Sequence, residues 1–191
     1  FEKIGHGGTE QFGALSYKPG FAINPLKFVN GIAKYAISKK LKIFEHTLVS
    51  KIHKNNENYI LKTQEGLVST KKIVLATNGF YQEGLVPQIN SRILPVISNI
   101  IVTRKLTTHE IDFHNFKTFS PIANTKNLLY YYRKLPDNRI LFGTRGDFIG
   151  SDQSNFNRSI KMEKFFKDIF PDWSKVSIDY SWRGFIAMSQ K

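Results

Sequence analysis

The chain has 191 residues, 41% of them hydrophobic and 14% aromatic, enough to bury a core and too apolar for a disordered segment. Cysteine is absent, which excludes disulfides and any cysteine-linked cofactor within this stretch. The formal net charge of +13 raises the alternative of a basic domain for nucleic acid or an anionic surface, but the lysines are dispersed and form no long block. A solvated lysine-rich face and no nucleic-acid partner are therefore expected. No apolar run approaches the roughly 18 residues of a membrane-spanning helix.

In chain order, KIGHGGTE carries Gly5, Gly7 and Gly8 without an apolar strand before them or a helical pattern after them, and reads as a loop. Asn24-Pro25 is a helix start: asparagine accepts from a first-turn N–H, and proline in that turn forfeits no hydrogen bond. Leu26, Val29, Ile32, Ala33, Ala36 and Ile37 then recur at helical spacing. This predicts a helix from about Pro25 to Lys39 with one buried face, and Gly31 is expected to pack closely against a strand. A short strand is expected at Leu41 to Glu45. Leu48 to His53, Asn58 to Thr63 and Leu67 to Leu75 follow as a meander, separated by turn signals at Asn55-Asn56 and Glu65-Gly66.

Lys71 to Tyr81 reads KKIVLATNGFY, in which a continuous apolar run from Ile73 to Ala76 runs into the turn Thr77-Asn78-Gly79. Apolar runs without alternation suit a parallel strand buried on both faces, and ligands of open α/β sheets bind beyond the carboxyl ends of such strands. A cofactor is expected there. Past Gly79 the runs become aromatic and β-branched, at Arg92 to Thr103, Leu128 to Tyr132 and Arg139 to Gly143, with a hairpin turn at Pro136-Asp137-Asn138. A mostly antiparallel second domain is implied. Arg158 to Phe170 is an amphipathic helix ended by Pro171, and a last strand from Val176 to Trp182 leads into RGFIAMS.

Histidines 6, 46, 53, 109 and 114 show no metal-ligand spacing, and His109 and His114 fall in an expected loop. There is no G-x-S-x-G elbow, no phosphate loop of the G-x-x-x-x-G-K-[ST] kind and no G-x-G-x-x-G turn. No zinc, hydrolase or nucleotide-triphosphate chemistry is supported.

The segments NPLKFVNGIA, KKIVLATNGFY, RILPVISNIIVTRKL, YYYRKLPDNRILFGTRG and WRGFIAMS, in this order, resemble the glycine oxidase, sarcosine oxidase and gamma-glutamylputrescine oxidase group of FAD-dependent amine and amino-acid oxidases. The resemblance covers most of the chain and matches the middle of such an enzyme, so the chain is read as an internal fragment whose G-x-G-x-x-G unit is missing. It implies an α/β fold: part of a doubly wound FAD-binding domain with a β-meander over residues 1–80, a mostly antiparallel substrate domain over 81–181, and a return towards the FAD domain over 182–191. FAD is the implied cofactor, an amine or amino acid the implied substrate, and the cytoplasm the expected location.

Residue by residue, the resemblance implies that the Val49 backbone contacts adenine and that Ala76, Thr77 and Gly79 form a flavin-contacting turn. Tyr131, six residues before Asp137 of a D-x-R hairpin with Arg139, is a substrate contact by the same likeness, and Arg145 is a further candidate because guanidinium grips carboxylates in a bidentate way. On a strand Tyr131 and Arg133 share one face and Tyr130 and Tyr132 the other, so only one pair can face a flavin. Trp182, Gly184 and Met188 match the W-x-G-x-x-x-M return of the group, while Ser189 and Lys191 stand where threonine and aspartate are usual. The implied chemistry is oxidation of a CH–NH bond with peroxide as by-product, closest to gamma-glutamylputrescine oxidase. The alternative within the fold is a flavin dehydrogenase with a quinone or carrier acceptor.

Overall fold

The computed structural model describes Thr9 and residues 13–127, 129–147 and 152–189, with backbone only for 145–147 and 152–159. Gly5, Gly7, Gly8, Gln190 and Lys191 lie outside these. The chain divides into two compact units, one formed by residues 23–94 and 187–189, the other by 13–22 and 95–186.

In the first unit, helix α1 (Pro25–Ser38) begins as its cap chemistry requires, with the Asn24 side chain accepting from Lys27 N–H at 3.0 Å. It ends where Lys39 N–H is shared between the Tyr35 and Ala36 carbonyls and Lys40 turns into the left-handed region at φ 67°. Two expectations need correction. No residue of α1 is buried, its apolar face being open at Leu26, Val29, Ile32 and Ile37. A Cβ on Gly31 would meet nothing within 4 Å, so this glycine does not serve close packing against a strand. The spacing reports a face that can be buried, and the surface to bury it is not among the described residues.

The expected strand at Leu41 to Glu45 is not formed either. Lys40 and His46, both at positive φ, bracket this segment and bend it away from any ladder. The meander is present as β1 (Lys51–Asn55), β2 (Asn58–Lys62) and β3 (Leu67–Thr70), paired antiparallel in that order. Its first turn is closed by Asn56 at φ 52°. Its second is closed by Thr63, whose hydroxyl accepts from Glu65 N–H and Gly66 N–H and donates to the Gly66 carbonyl.

Ile73 to Ala76 is the larger correction, because these residues form no strand and Val74 is 88% exposed. An apolar run marks a segment suited to burial on both faces, but a parallel strand exists only through the ladder a neighbour supplies. No such neighbour is found among the described residues. A short 3-10 turn at Asn78–Phe80 follows.

The second unit is built on a five-stranded sheet of order β5-β6-β7-β4-β8, formed by β4 (Ile93–Thr103), β5 (Ile122–Ala123), β6 (Tyr130–Lys134), β7 (Ile140–Asp147) and β8 (Ile178–Ser189). The β6–β7 hairpin closes at the Pro136-Asp137-Asn138 turn, with Asn138 left-handed at φ 64° and Leu135 N–H donating to Arg139 O at 2.8 Å. Helix α3 (Asp152–Ile169) lays Met162, Phe166 and Ile169 on Ile101, Ile140, Phe142 and Tyr132 of the sheet, and Phe170 and Trp173 complete the core. Pro171 opens the 3-10 turn that ends this element.

Between β4 and β5 the expected loop is in fact helix α2 (Thr108–Phe113), which contains His109. It is nucleated by a capping box: Glu110 N–H donates to Thr107 Oγ1 at 3.2 Å, and Thr107 N–H donates to Glu110 Oε2 at 2.8 Å. The Glu110 carboxylate also receives both Arg104 Nη atoms, at 2.7 and 2.9 Å, and its carbonyl receives the Trp173 indole N–H at 3.1 Å.

Candidate flavin and substrate sites

The Thr77-Asn78-Gly79 turn is fixed from two directions. Thr77 O accepts from Phe80 N–H at 3.1 Å, and Asn78 Oδ1 accepts from Ala187 N–H at 2.8 Å. Segments 109 residues apart are thus tied inside one unit, the expected cofactor turn and the segment expected to return towards the FAD domain. Asn78 takes the left-handed conformation, at φ 51°, and not Gly79, because a short amide side chain tolerates that region. Gly79 is instead the buried residue of the turn. Ala76 and Thr77 are exposed. Val49 is half-buried and lies just before the meander, whose ladder begins one residue later with Ser50 N–H donating to Lys62 O at 2.8 Å.

The tyrosine triplet in the other unit divides by face. Tyr130 and Tyr132 turn towards α3, Tyr132 buried against Phe142 and Phe170 and Tyr130 packed on Phe142 and Phe165. Burial pushes the Tyr132 phenol well above the ordinary range, so this hydroxyl stays neutral and structural. Tyr131 lies on the opposite face and is half-buried. Its ring covers Gly143, where a Cβ would collide with it, and its hydroxyl is 2.7 Å from Ser98 Oγ. Ser98 carries no signal in the sequence, since the contact depends on the register of β4, β7 and β6.

Arg145 occupies the β7 position paired with Ser98 of β4; its side chain lies outside the described ones. The D-x-R pair has a structural task. Arg139 is bound to Asp137 at 3.1 Å, to Asp179 at 2.6 Å and to the Thr103 carbonyl at 2.8 Å, and its guanidinium lies over the Tyr180 ring. These contacts lock the hairpin to the ends of β4 and β8. Trp182, Gly184 and Met188 all lie on β8 and are exposed.

Residues 3–191 match the FAD dependent oxidoreductase family, DAO, over nearly their whole length. The chain belongs to this family. Among curated relatives it is 33% identical to a probable oxidoreductase, OrdL, of Haemophilus influenzae, over 87% of this chain and 38% of that protein. It is 27% identical to the gamma-glutamylputrescine oxidoreductase of Escherichia coli, over 90% of this chain and 39% of that one. It therefore spans about two fifths of the length of these relatives. Among solved structures, glycine oxidase of Geobacillus kaustophilus superposes with a TM-score of 0.63 at 20% identity, over 84% of this chain and 41% of that one. L-proline dehydrogenase of P. horikoshii superposes with a TM-score of 0.61 at 18% identity, over 84% and 43%. The fold is accordingly the mixed α/β, antiparallel-sheet architecture of FAD-binding oxidases.

FAD is the cofactor of this family. Gly79 is buried in the turn that follows the exposed, unladdered Val74 to Thr77, and a turn of that kind would give a cofactor edge close backbone access. No element of the described chain offers the glycine-rich helix start that a pyrophosphate needs. Among the described residues no helix is long and apolar enough to cross a membrane.

Proposed function

We propose that the protein carrying this chain oxidises the CH–NH bond of an amine or amino acid, with Ala76, Thr77, Gly79 and the Val49 backbone holding FAD and with Tyr131 and Arg145 contacting substrate. The observation that carries this reading is the division of labour in YYYRK: the core uses Tyr130 and Tyr132 and leaves Tyr131 on the other face of the sheet. The likeness to gamma-glutamylputrescine oxidoreductase favours a substrate of that type.

FAD held by these residues would supply a hydride acceptor for the amine-bearing carbon and a route for the electrons to oxygen as peroxide; the product imine would add water and give an aldehyde or oxo acid with release of the free amine. The chain's own residues position and do not transform. Tyr131 offers a hydroxyl that can donate or accept, Gly143 keeps its ring flat on the strand, and Arg145 supplies a cation. No strong base is needed when the amine is held neutral in a dry site.

The likeness to L-proline dehydrogenase supports a second reading, in which a quinone or carrier and not oxygen reoxidises the flavin. Both are tested on the complete open reading frame. A yellow protein that consumes oxygen and releases peroxide with gamma-glutamylated or free amines is expected; reduction of an artificial dye without oxygen uptake would favour the second reading. A purified protein that oxidises no amine or amino acid overturns both.

A further inference from the structure

Tyr131 and Ser98 form a hydroxyl pair on the face of the sheet opposite α3, with a donor–acceptor distance of 2.7 Å and either oxygen able to donate. The seat beneath is specified as well: the ring lies over Gly143, directly opposite Tyr131 in the β6–β7 register, where any larger residue would overlap it. Ring plane and hydroxyl position are therefore both set by neighbours from other strands.

This constrains what the pair can recognise. A phenol is a stronger donor than an alcohol, and its O–H stays in the ring plane because the oxygen lone pair conjugates with the ring. A serine hydroxyl rotates freely. Either oxygen can donate across the Tyr131–Ser98 pair, and with no ligand the phenol is the stronger donor of the two. An anionic oxygen arriving beside the ring is a better acceptor than serine, and charge-assisted bonds are about twice as strong as neutral ones. The phenolic proton then turns to the anion and Ser98 rotates to donate to the phenolic oxygen, so neither group loses its partner. An amine that donates to the phenol needs no such reversal, because the Tyr131 oxygen already has a lone pair to offer.

We propose that Ser98 is a positioning residue that acts through Tyr131, a rotating hydroxyl that lets the phenol donate to the carboxylate of an amino-acid substrate. This rests on the reading of Tyr131 as a substrate contact.

The test uses the complete protein with 13C at the phenolic carbon of tyrosine, the Tyr131 resonance being assigned by its loss in Tyr131→Phe. The probes are acetate, a bare carboxylate, and propylamine, a bare amine. Acetate is expected to shift the Tyr131 signal in the wild type and in Ser98→Thr, which keeps the hydroxyl. Ser98→Ala is expected to need about 2- to 10-fold more acetate for the same shift, the range one neutral hydrogen bond carries. Its propylamine titration should match the wild type. In turnover with a carboxylate-bearing amine, Ser98→Ala should raise KM more than it lowers kcat, and Ser98→Thr should restore it. Equal acetate titrations in Ser98→Ala and wild type, or no response of the Tyr131 signal to acetate, overturn the proposal. The visible flavin spectrum of the same samples is an independent reading: a colourless protein whose Tyr131 still answers to acetate would sink the oxidase assignment and leave the Ser98 role standing.

Discussion

Glu110 shows how one carboxylate can organise a short helix. It caps α2 through Thr107, pairs with Arg104 and, through its carbonyl, holds the Trp173 indole. The Arg104 guanidinium and the Thr107 N–H hold its carboxyl at about 2, against an ordinary 4.5. Because the native group releases its proton more readily than the unfolded one, its stabilising effect is complete above about pH 4.5 and is lost as pH falls towards 2. Thr107→Ala is expected to cost about 1 kcal/mol in urea unfolding at neutral pH, the usual worth of a side-chain cap. Glu110→Gln should flatten the acid limb of the stability profile. His114 acts in a higher window. It is buried between Phe113, Phe170 and Trp173, its Nε2 lies 3.5 Å from Asp172 Oδ2 with no hydrogen-bond partner among the described residues, and burial lowers its pKa against the opposing pull of Asp172. Below about pH 6.5 the unfolded chain therefore takes up a proton before the native one, and stability falls as pH drops through that region. His114→Phe should remove this limb while leaving the lower one, when the midpoint of urea unfolding is followed from pH 8 to 3.

At the scale of elements, what was legible in the sequence was local. Asn24-Pro25 fixed the start of α1, the alternation and turn residues of β1 to β3 fixed the meander, and Pro136-Asp137-Asn138 fixed the hairpin. Each depends on residues a few positions apart. The Thr107-x-x-Glu110 box is equally local, and it stands in the sequence of a segment expected to be a loop. Ile73 to Ala76 was misread for a different reason: side chains announce a strand, whereas hydrogen bonds to a neighbour make one. α1 is the helical counterpart, a 14-residue helix without a buried residue, which is marginal on propensity alone. Gly31 weakens it further with no packing in return, so Gly31→Ala should raise the helix content of this chain by circular dichroism and stabilise it by up to about 1 kcal/mol. If the same change destabilises the complete protein, a close neighbour of α1 outside this chain is located.

Over the whole molecule, the parts of the candidate site that depended on register could not be read from order alone. The sequence offered Tyr131 together with Asp137 and Arg139; the structure turns Arg139 into a strand-end clamp and gives Tyr131 a partner, Ser98, from another strand. The same view explains what the chain should do by itself. Its second unit has a dense aromatic core around Trp173, Phe166 and Phe170, whereas its first leaves Leu26, Val29, Ile32, Leu41, Phe44 and Val74 open to solvent. That many exposed apolar side chains favour association. The cofactor side is unbalanced in the same way: the turn at Thr77 to Gly79 is proposed to meet one part of FAD, but among the described residues no glycine-rich helix start offers the N–H groups and dipole that offset taking a pyrophosphate out of water. Residues 1–191 expressed alone are therefore expected to elute from gel filtration colourless and self-associated, with the aromatic unit resisting proteolysis longer than the meander unit. The complete reading frame should elute yellow. A monomeric 191-residue protein carrying one FAD would show that the turn and Val49 suffice to hold the cofactor, and that the missing helix start was wrongly made a requirement.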